Sequence, residues 1–168
     1  EWEQLLRTMP GHSLFLTWEW LYYWGKHYLG QNQLRILLAF DDHERLVGIA
    51  PFYLHATRKL GLIPVRELRF LGSETVCSAY LDIIASERDK RSVCRSLYRY
   101  LFNDARRDWD ILTLSEVPAE SSTLDLWNEL FEEAGKVGEV VSRTGCPVIR
   151  LPGAIETYRA GLGRNRRY

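Results

Sequence analysis

Apolar positions along this chain switch between a helical and a strand rhythm, and the switches fall at Gly, Pro and polar clusters. Residues 2–9 read as a short helix stopped by Pro10-Gly11. Residues 18–29 read as a stronger one. Thr17 can cap its free N–H groups, Leu16 and Leu21 are spaced for a hydrophobic staple, and Gly30 supplies the stop. Glu19 lies in the first turn, where the helix dipole favours a negative charge. Trp20, Leu21, Trp24 and Tyr28 form one stripe, but Trp18, Tyr22 and Tyr23 cover other faces. A helix apolar nearly all round is expected to pack on more than one side.

Residues 34–40 and 46–54 flank Asp41-Asp42-His43-Glu44, a polar turn suited to a hairpin. Pro51 removes a ladder donor, so its strand should be an edge there or carry a bulge. Residues 65–71 predict a third strand ended by Gly72-Ser73, and residues 80–85 a short fourth. A long helix is expected over 88–107, with Val93, Leu97, Tyr100, Leu101 and Ala105 on its core face. Residues 109–114 read as a strand. After a loop over 118–122 with a Ser cap, Leu124, Trp127, Phe131 and Ala134 mark another amphipathic helix, ended by Gly135. Residues 137–142 and 147–151 read as a final strand or hairpin around Gly145, and residues 155–162 as a last helix. There is no internal repeat and no low-complexity linker. The order predicts an α/β (α+β) fold: a mixed, largely antiparallel sheet with helices on both faces.

Composition narrows the function classes. At 168 residues the chain is long enough for a core that needs no disulfide or metal staple. Lys plus Arg (22) equals Asp plus Glu (22), so no global field gathers nucleic acid or anionic lipid, and nucleic acid is not expected as a partner. Apolar runs stop well short of the roughly 20 residues of a membrane helix, so no membrane insertion is expected. Cys77, Cys94 and Cys146 are odd in number, far apart and outside any C-x-x-C pair, which argues against zinc and for a reducing cytoplasm. The chain opens on Glu1 rather than Met, as a processed or partial chain would.

Local strings add a family resemblance. Leu14-Phe15-Leu16-Thr17-Trp18-Glu19-Trp20-Leu21 resembles the opening of CelD/BcsL-type proteins, which are acetyltransferase-like and associated with bacterial cellulose or exopolysaccharide synthesis. Leu46-Val47-Gly48-Ile49-Ala50-Pro51-Phe52-Tyr53 is similar to their "lvGiaPLy" strand. Leu68-Arg69-Phe70-Leu71-Gly72 followed by Tyr80-Leu81-Asp82 resembles their "lrflG…sdYld" segment. Leu151-Pro152, Tyr158, Leu162, Arg164, Arg166 and Arg167 are similar to the approach to their next domain. The element order is also that of the GNAT (Gcn5-related N-acetyltransferase) superfamily.

The resemblance implies a parent of two GNAT-like lobes, akin to the FemABX aminoacyl-transferases. Residues 1–153 would be the N-terminal lobe and 154–168 the start of a truncated second lobe. The parent would transfer an acyl group from acetyl-CoA or another acyl-CoA to a small-molecule amine or amino-sugar, without a metal. The acyl-CoA would sit in the missing C-terminal lobe, so this lobe alone would be inactive. A non-catalytic scaffold or glycan-binding accessory module of polysaccharide export, or a Fem-type aminoacyl-transferase lobe, are the other readings.

The residues themselves test these implications. GNAT enzymes cradle pyrophosphate on N–H groups at a Gly-rich turn opening a helix. The equivalent stretch over 85–92 has no glycine and carries Glu87 and Asp89, so CoA binding in that manner is not expected here. Trp18 and Tyr22 are candidates to stack on a sugar or pack on the second lobe. Tyr80 and Asp82, two apart on an expected strand, should face the same way and could bind an amine or hydroxyl, or simply hydrogen-bond structurally. Arg164 and Arg166 could meet an anionic substrate, or belong to a frayed helix end. Arg91, Arg95 and Arg99 share one helix face, expected to be solvated and neutralised by nearby acids. The four histidines show no catalytic grammar, and a triad from Ser73, His55 and Asp82 lacks a nucleophile elbow.

Overall fold

The computed structural model describes residues 1–59, 61–73, 76, 78–145, 147 and 152–161. These divide into two units, residues 1–138 and 139–168. In the first, helix α1 (Trp2–Leu6) and a 3-10 turn (Leu14–Leu16) lead into α2 (Trp18–Tyr28). Three strands follow, β1 (Gln33–Phe40), β2 (Leu46–Lys59) and β3 (Ile63–Phe70), then a two-residue β4 (Ile84–Ala85). Helix α3 (Glu87–Arg99) relaxes into a π-helical turn (Tyr100–Asp104) and is followed by β5 (Ile111–Thr113) and α4 (Thr123–Glu133). The second unit contains α5 (Ile155–Gly161).

The sheet runs β1-β2-β3-β5, with β4 also on β2. All pairs are antiparallel except β3 with β5, so the sheet is mixed and largely antiparallel, as expected. Pro51 explains the branching. On one side β2 pairs β4 at Gly48 and Ile49 and β3 from Phe52 onward, and Pro51 falls in the gap between them. Its carbonyl points into that gap and accepts from Leu71 N at 2.7 Å. The missing N–H therefore removes no ladder bond.

Each face of the sheet receives a helix. On one face α3 lies so close to β2 that a Cβ on Gly48 would sit 2.4 Å from Val93 Cγ1. Here Ala50, Phe52, Leu68, Val93, Cys94, Leu97 and Leu101 form the main core, closed by Leu126, Trp127 and Leu130 of α4. On the other face Leu21 and Trp24 of α2 pack with Tyr53 and Leu71. Leu16 and Leu21 are both buried but fall in separate clusters rather than stapling each other.

Four expectations are corrected. Helix α2 buries only Leu21 and Trp24; Trp18, Tyr22, Tyr23 and Tyr28 are 45% to 57% exposed, so it packs on one side. Residues 80–83 are not strand: Tyr80 takes φ 57°, its carbonyl accepts from Ser13 Oγ, and Leu81 N donates to the Glu116 carbonyl. The long helix stops earlier than 107, because the π turn shifts Ala105 N onto the Tyr100 carbonyl and ends the spiral. Residues 137–142 form no strand, and Val137 and Val141 are left exposed. Residues 148–151 lie outside the described residues.

Candidate functional site

Strand alternation and register gather polar side chains on the α2 face of the sheet, beyond the patch that α2 covers. Residues paired across strands share a face, so His55 with Glu67 and Tyr53 with Arg69 all point there. Parallel pairing brings Thr113 beside Arg69. Glu67 accepts hydrogen bonds from the Thr113 hydroxyl and from Arg69 Nη2, the latter at 2.6 Å. Both ends of the Glu67–Arg69 ion pair are mostly buried. Burial pushes the Glu67 carboxyl up, but the hydrogen bonds from Arg69 and Thr113 and the Arg69 charge outweigh it and hold the group below its usual range. His55 Nδ1 lies 3.1 Å from Asn32 Oδ1. With that oxygen accepting, Nδ1 donates, and Nε2 is the ring nitrogen turned to other partners. An imidazole, an ionised carboxylate and a guanidinium thus share one partly open floor.

A second feature borders the same side. The exposed rings of α2 form a connected strip that starts against the half-buried Trp2 of α1: Trp2 to Trp18 at 5.7 Å, Trp18 to Tyr22 at 5.7 Å, Tyr22 to Tyr23 at 5.4 Å, and Tyr23 stacked on His27 at 6.4 Å. Each ring in the strip carries an N–H or O–H.

The remaining expected site residues fall elsewhere. Asp82 is buried in a structural network: it accepts from Ile83 N at 2.7 Å, Ser121 Oγ at 2.6 Å and Thr123 Oγ1 at 2.5 Å, and pairs with Lys90 Nζ at 3.0 Å. Lys90 also donates to the Ile83 carbonyl at 2.6 Å. Tyr80 is exposed and the segment is not a strand, so the two do not form a common binding edge. With Asp82 so engaged, and His55 on Asn32, no Ser73-His55-Asp82 triad assembles. Arg164 and Arg166 lie outside the described residues, as do Cys77 and Cys146. Arg91 and Arg95 pair with Glu129 at 2.6 Å and Glu133 at 3.3 Å on α4, which neutralises that helix face from across the interface.

The start of α3 is occupied by its own side chains. Ser86 Oγ accepts from Asp89 N at 3.2 Å and donates to the Asp89 carboxylate at 2.6 Å. The first turn carries Glu87 and Asp89, and its backbone is capped without a glycine. Among the described residues no cluster of three or more His, Cys, Asp or Glu could hold a metal ion, and no helix is long and apolar enough to cross a membrane.

No family model matches the chain, and no curated protein matches it. Among solved structures it is similar to the tetramutant of BH1408 protein from Bacillus halodurans, at 13% identity over 74% of this chain and 69% of that one, with a TM-score of 0.38. A likeness that loose carries no argument.

Sequence pattern does not single out this polar floor: Glu67 and Arg69 alternate along β3, but strand register alone sets them opposite His55 and Tyr53.

Proposed function

We propose that this chain is the acceptor-side lobe of a GNAT-like N-acyltransferase of the CelD type, acting in the cytoplasm on an amine or amino-sugar used in cell-envelope or exopolysaccharide synthesis. The observation that carries the reading is the floor of His55, Asn32, Glu67, Arg69 and Thr113. The element order and mixed sheet support it, though folds host many chemistries. In the reaction the amine nitrogen attacks the thioester carbonyl of the acyl donor. A C–N bond forms, the C–S bond breaks, CoA leaves as the thiol, and the amine gives up a proton. His55 Nε2 would take that proton and pass it to the departing thiolate, and Glu67 would hold the ammonium of the incoming acceptor before its first proton is lost to solvent. Acetyl-CoA or another acyl-CoA would be held by a further lobe, because the start of α3 is capped and acid-flanked.

The test is acetyl transfer to glucosamine by a chain extended past Tyr168 with its genomic continuation, read by thiol release. Turnover that falls about 100-fold or more in His55→Gln, with loss of the acid limb of the pH profile, supports the reading. Absence of turnover with any amine, or a His55→Gln variant with unchanged rate, contradicts it.

The exposed ring strip on α2 favours a second reading, a glycan-binding accessory module of polysaccharide export. Retention of the chain on a cellulose or chitin column, lost in Trp18→Ala with Tyr22→Ala, without acyl transfer by the extended chain, would select it.

A further inference from the structure

Among the described residues β1 pairs with β2 alone and is the long edge of the sheet, whereas the edge at β5 is only three residues long. Two hydrogen bonds fix the direction of its backbone groups. Asp41 N donates to the Arg45 carbonyl inside the β1–β2 hairpin, so by alternation the odd-numbered residues of β1 turn their N–H and C=O toward β2. The Pro51 carbonyl, opposite Ile36, turns away from β1 to accept from Leu71 N, so Ile36 and Pro51 share no bond. The backbone groups of Leu34, Ile36, Leu38 and Phe40 therefore point off the edge. The side chains of the same four residues share one face, as alternate strand positions must. Leu34, Leu38 and Phe40 are 47%, 50% and 56% exposed, and Ile36 is half-buried. Edges are ordinarily blunted by Lys, Pro, an inward-pointing charge, a bulge or a short strand. Residues 33–40 contain no Lys, Pro, Asp or Glu, and the one irregularity falls at the far end, at Ala39/Phe40.

We propose that β1 pairs edge to edge with β1 of a second copy of this chain, joining the two sheets about a two-fold axis. The partner is a second copy because the strand is its own complement. Two-fold symmetry makes the pairing antiparallel, and residues with outward backbone groups must meet one another. An axis at Leu37 sets Leu34 against the partner's Phe40 and Ile36 against the partner's Leu38. The apolar row then meets itself, and each outward N–H and C=O of the four residues gains a ladder bond. Arg35, the one charged residue of the strand, lies opposite the partner's Ala39. Moving the axis to Ile36 would carry Phe40 past the end of the partner strand, and moving it to Arg35 would oppose two guanidinium groups. A foreign strand added here would present a new edge on its far side, whereas this pairing removes the long edge from both copies. The contact is narrow, so the dimer is weak. It does not depend on acyl transfer.

The experiment is sedimentation velocity of the 168-residue chain over a range of concentrations reaching about 300 µM. Monomer should pass to dimer, and no further, with a dissociation constant of about 100 µM or tighter. Leu34→Lys and Phe40→Glu should each weaken self-association about tenfold or more. Both positions are exposed, so each variant should keep the urea midpoint of the parent chain at a concentration where all are monomeric. An equimolar mixture of the two variants should dimerise again, because an axis at Leu37 brings the new ammonium beside the new carboxylate and leaves Leu and Phe together at the other end. A monomer throughout the range, a ladder of higher polymers, a dimer unaffected by either single change, or a mixture as monomeric as its components would overturn the proposal.

Discussion

Lys90 can occupy the core because Asp82 and the Ile83 carbonyl receive its ammonium, while Ser121, Thr123 and Ile83 N saturate the carboxylate. Both side chains are 2% exposed. Removing one partner strands the other charge in low dielectric, so Lys90→Ala or Asp82→Ala should each cost about 3 to 5 kcal/mol in urea unfolding. The combined Lys90→Met, Asp82→Ala change should cost less than the sum of the single changes; additive losses would show that the pair is not coupled. Cys94, one turn further along, is buried too. Burial pushes its thiol up to about 11 against the pull of Lys90. In a Cys77→Ser, Cys146→Ser background it should react with a disulfide reagent only on unfolding, and fast native labelling would contradict the burial. At this scale the sequence showed Asp82 as a candidate but not its role. Its hydroxyl partners lie 39 and 41 residues away, and no periodicity within residues 80–90 indicates them.

The helices were legible where their caps and stripes are local. Thr17 caps α2 by accepting from Trp20 N, as expected, whereas α3 starts at Glu87 rather than Arg88, with Ser86 as a cap that the helical stripe did not mark. Thr17→Ala should lower stability by about 1 kcal/mol. On the same helix Leu21→Ala should cost about 2 to 5 kcal/mol, whereas Tyr22→Ala should stay within about 0.5 kcal/mol, because only the first faces the sheet. A large Tyr22 effect in the isolated chain would contradict the one-sided packing. Gly48→Ala drives a methyl into Val93 and should be destabilising by about 1 to 3 kcal/mol, with Val93→Ala relieving much of it. Legibility failed where tertiary contacts override local rhythm. Residues 80–83 read as strand from their apolar run, yet loop contacts from Ser13 and Glu116 hold them. Residues 137–142 have strand composition, but strand formation needs an edge to pair with, and propensity alone does not provide one.

Across the molecule, balanced charge is realised as specific pairs. Hydrogen bonds from Arg45 hold Asp41 down to about 2 from its usual 3.8. Arg66 lowers Asp110, and Arg91 lowers Glu129. Carboxyls depressed in the folded state add stability above their unfolded values and lose it as pH falls through the folded ones. Stability should therefore hold near neutrality and decline between about pH 4 and pH 2, more gently at high salt because these pairs are exposed. A midpoint in urea that rises below pH 4 would contradict the pairing. The α/β order, the mixed sheet and the missing glycine at the start of α3 could all be read from the chain. The polar floor could not be, because it comes from three strands whose register no local pattern encodes. The proposed function gives this chain the acceptor and not the acyl donor. Calorimetric titration of the 168-residue chain with acetyl-CoA tests that claim most directly. No saturable heat is expected, since Ser86, Glu87 and Asp89 close the start of α3 to phosphate; micromolar binding by this chain alone would contradict it.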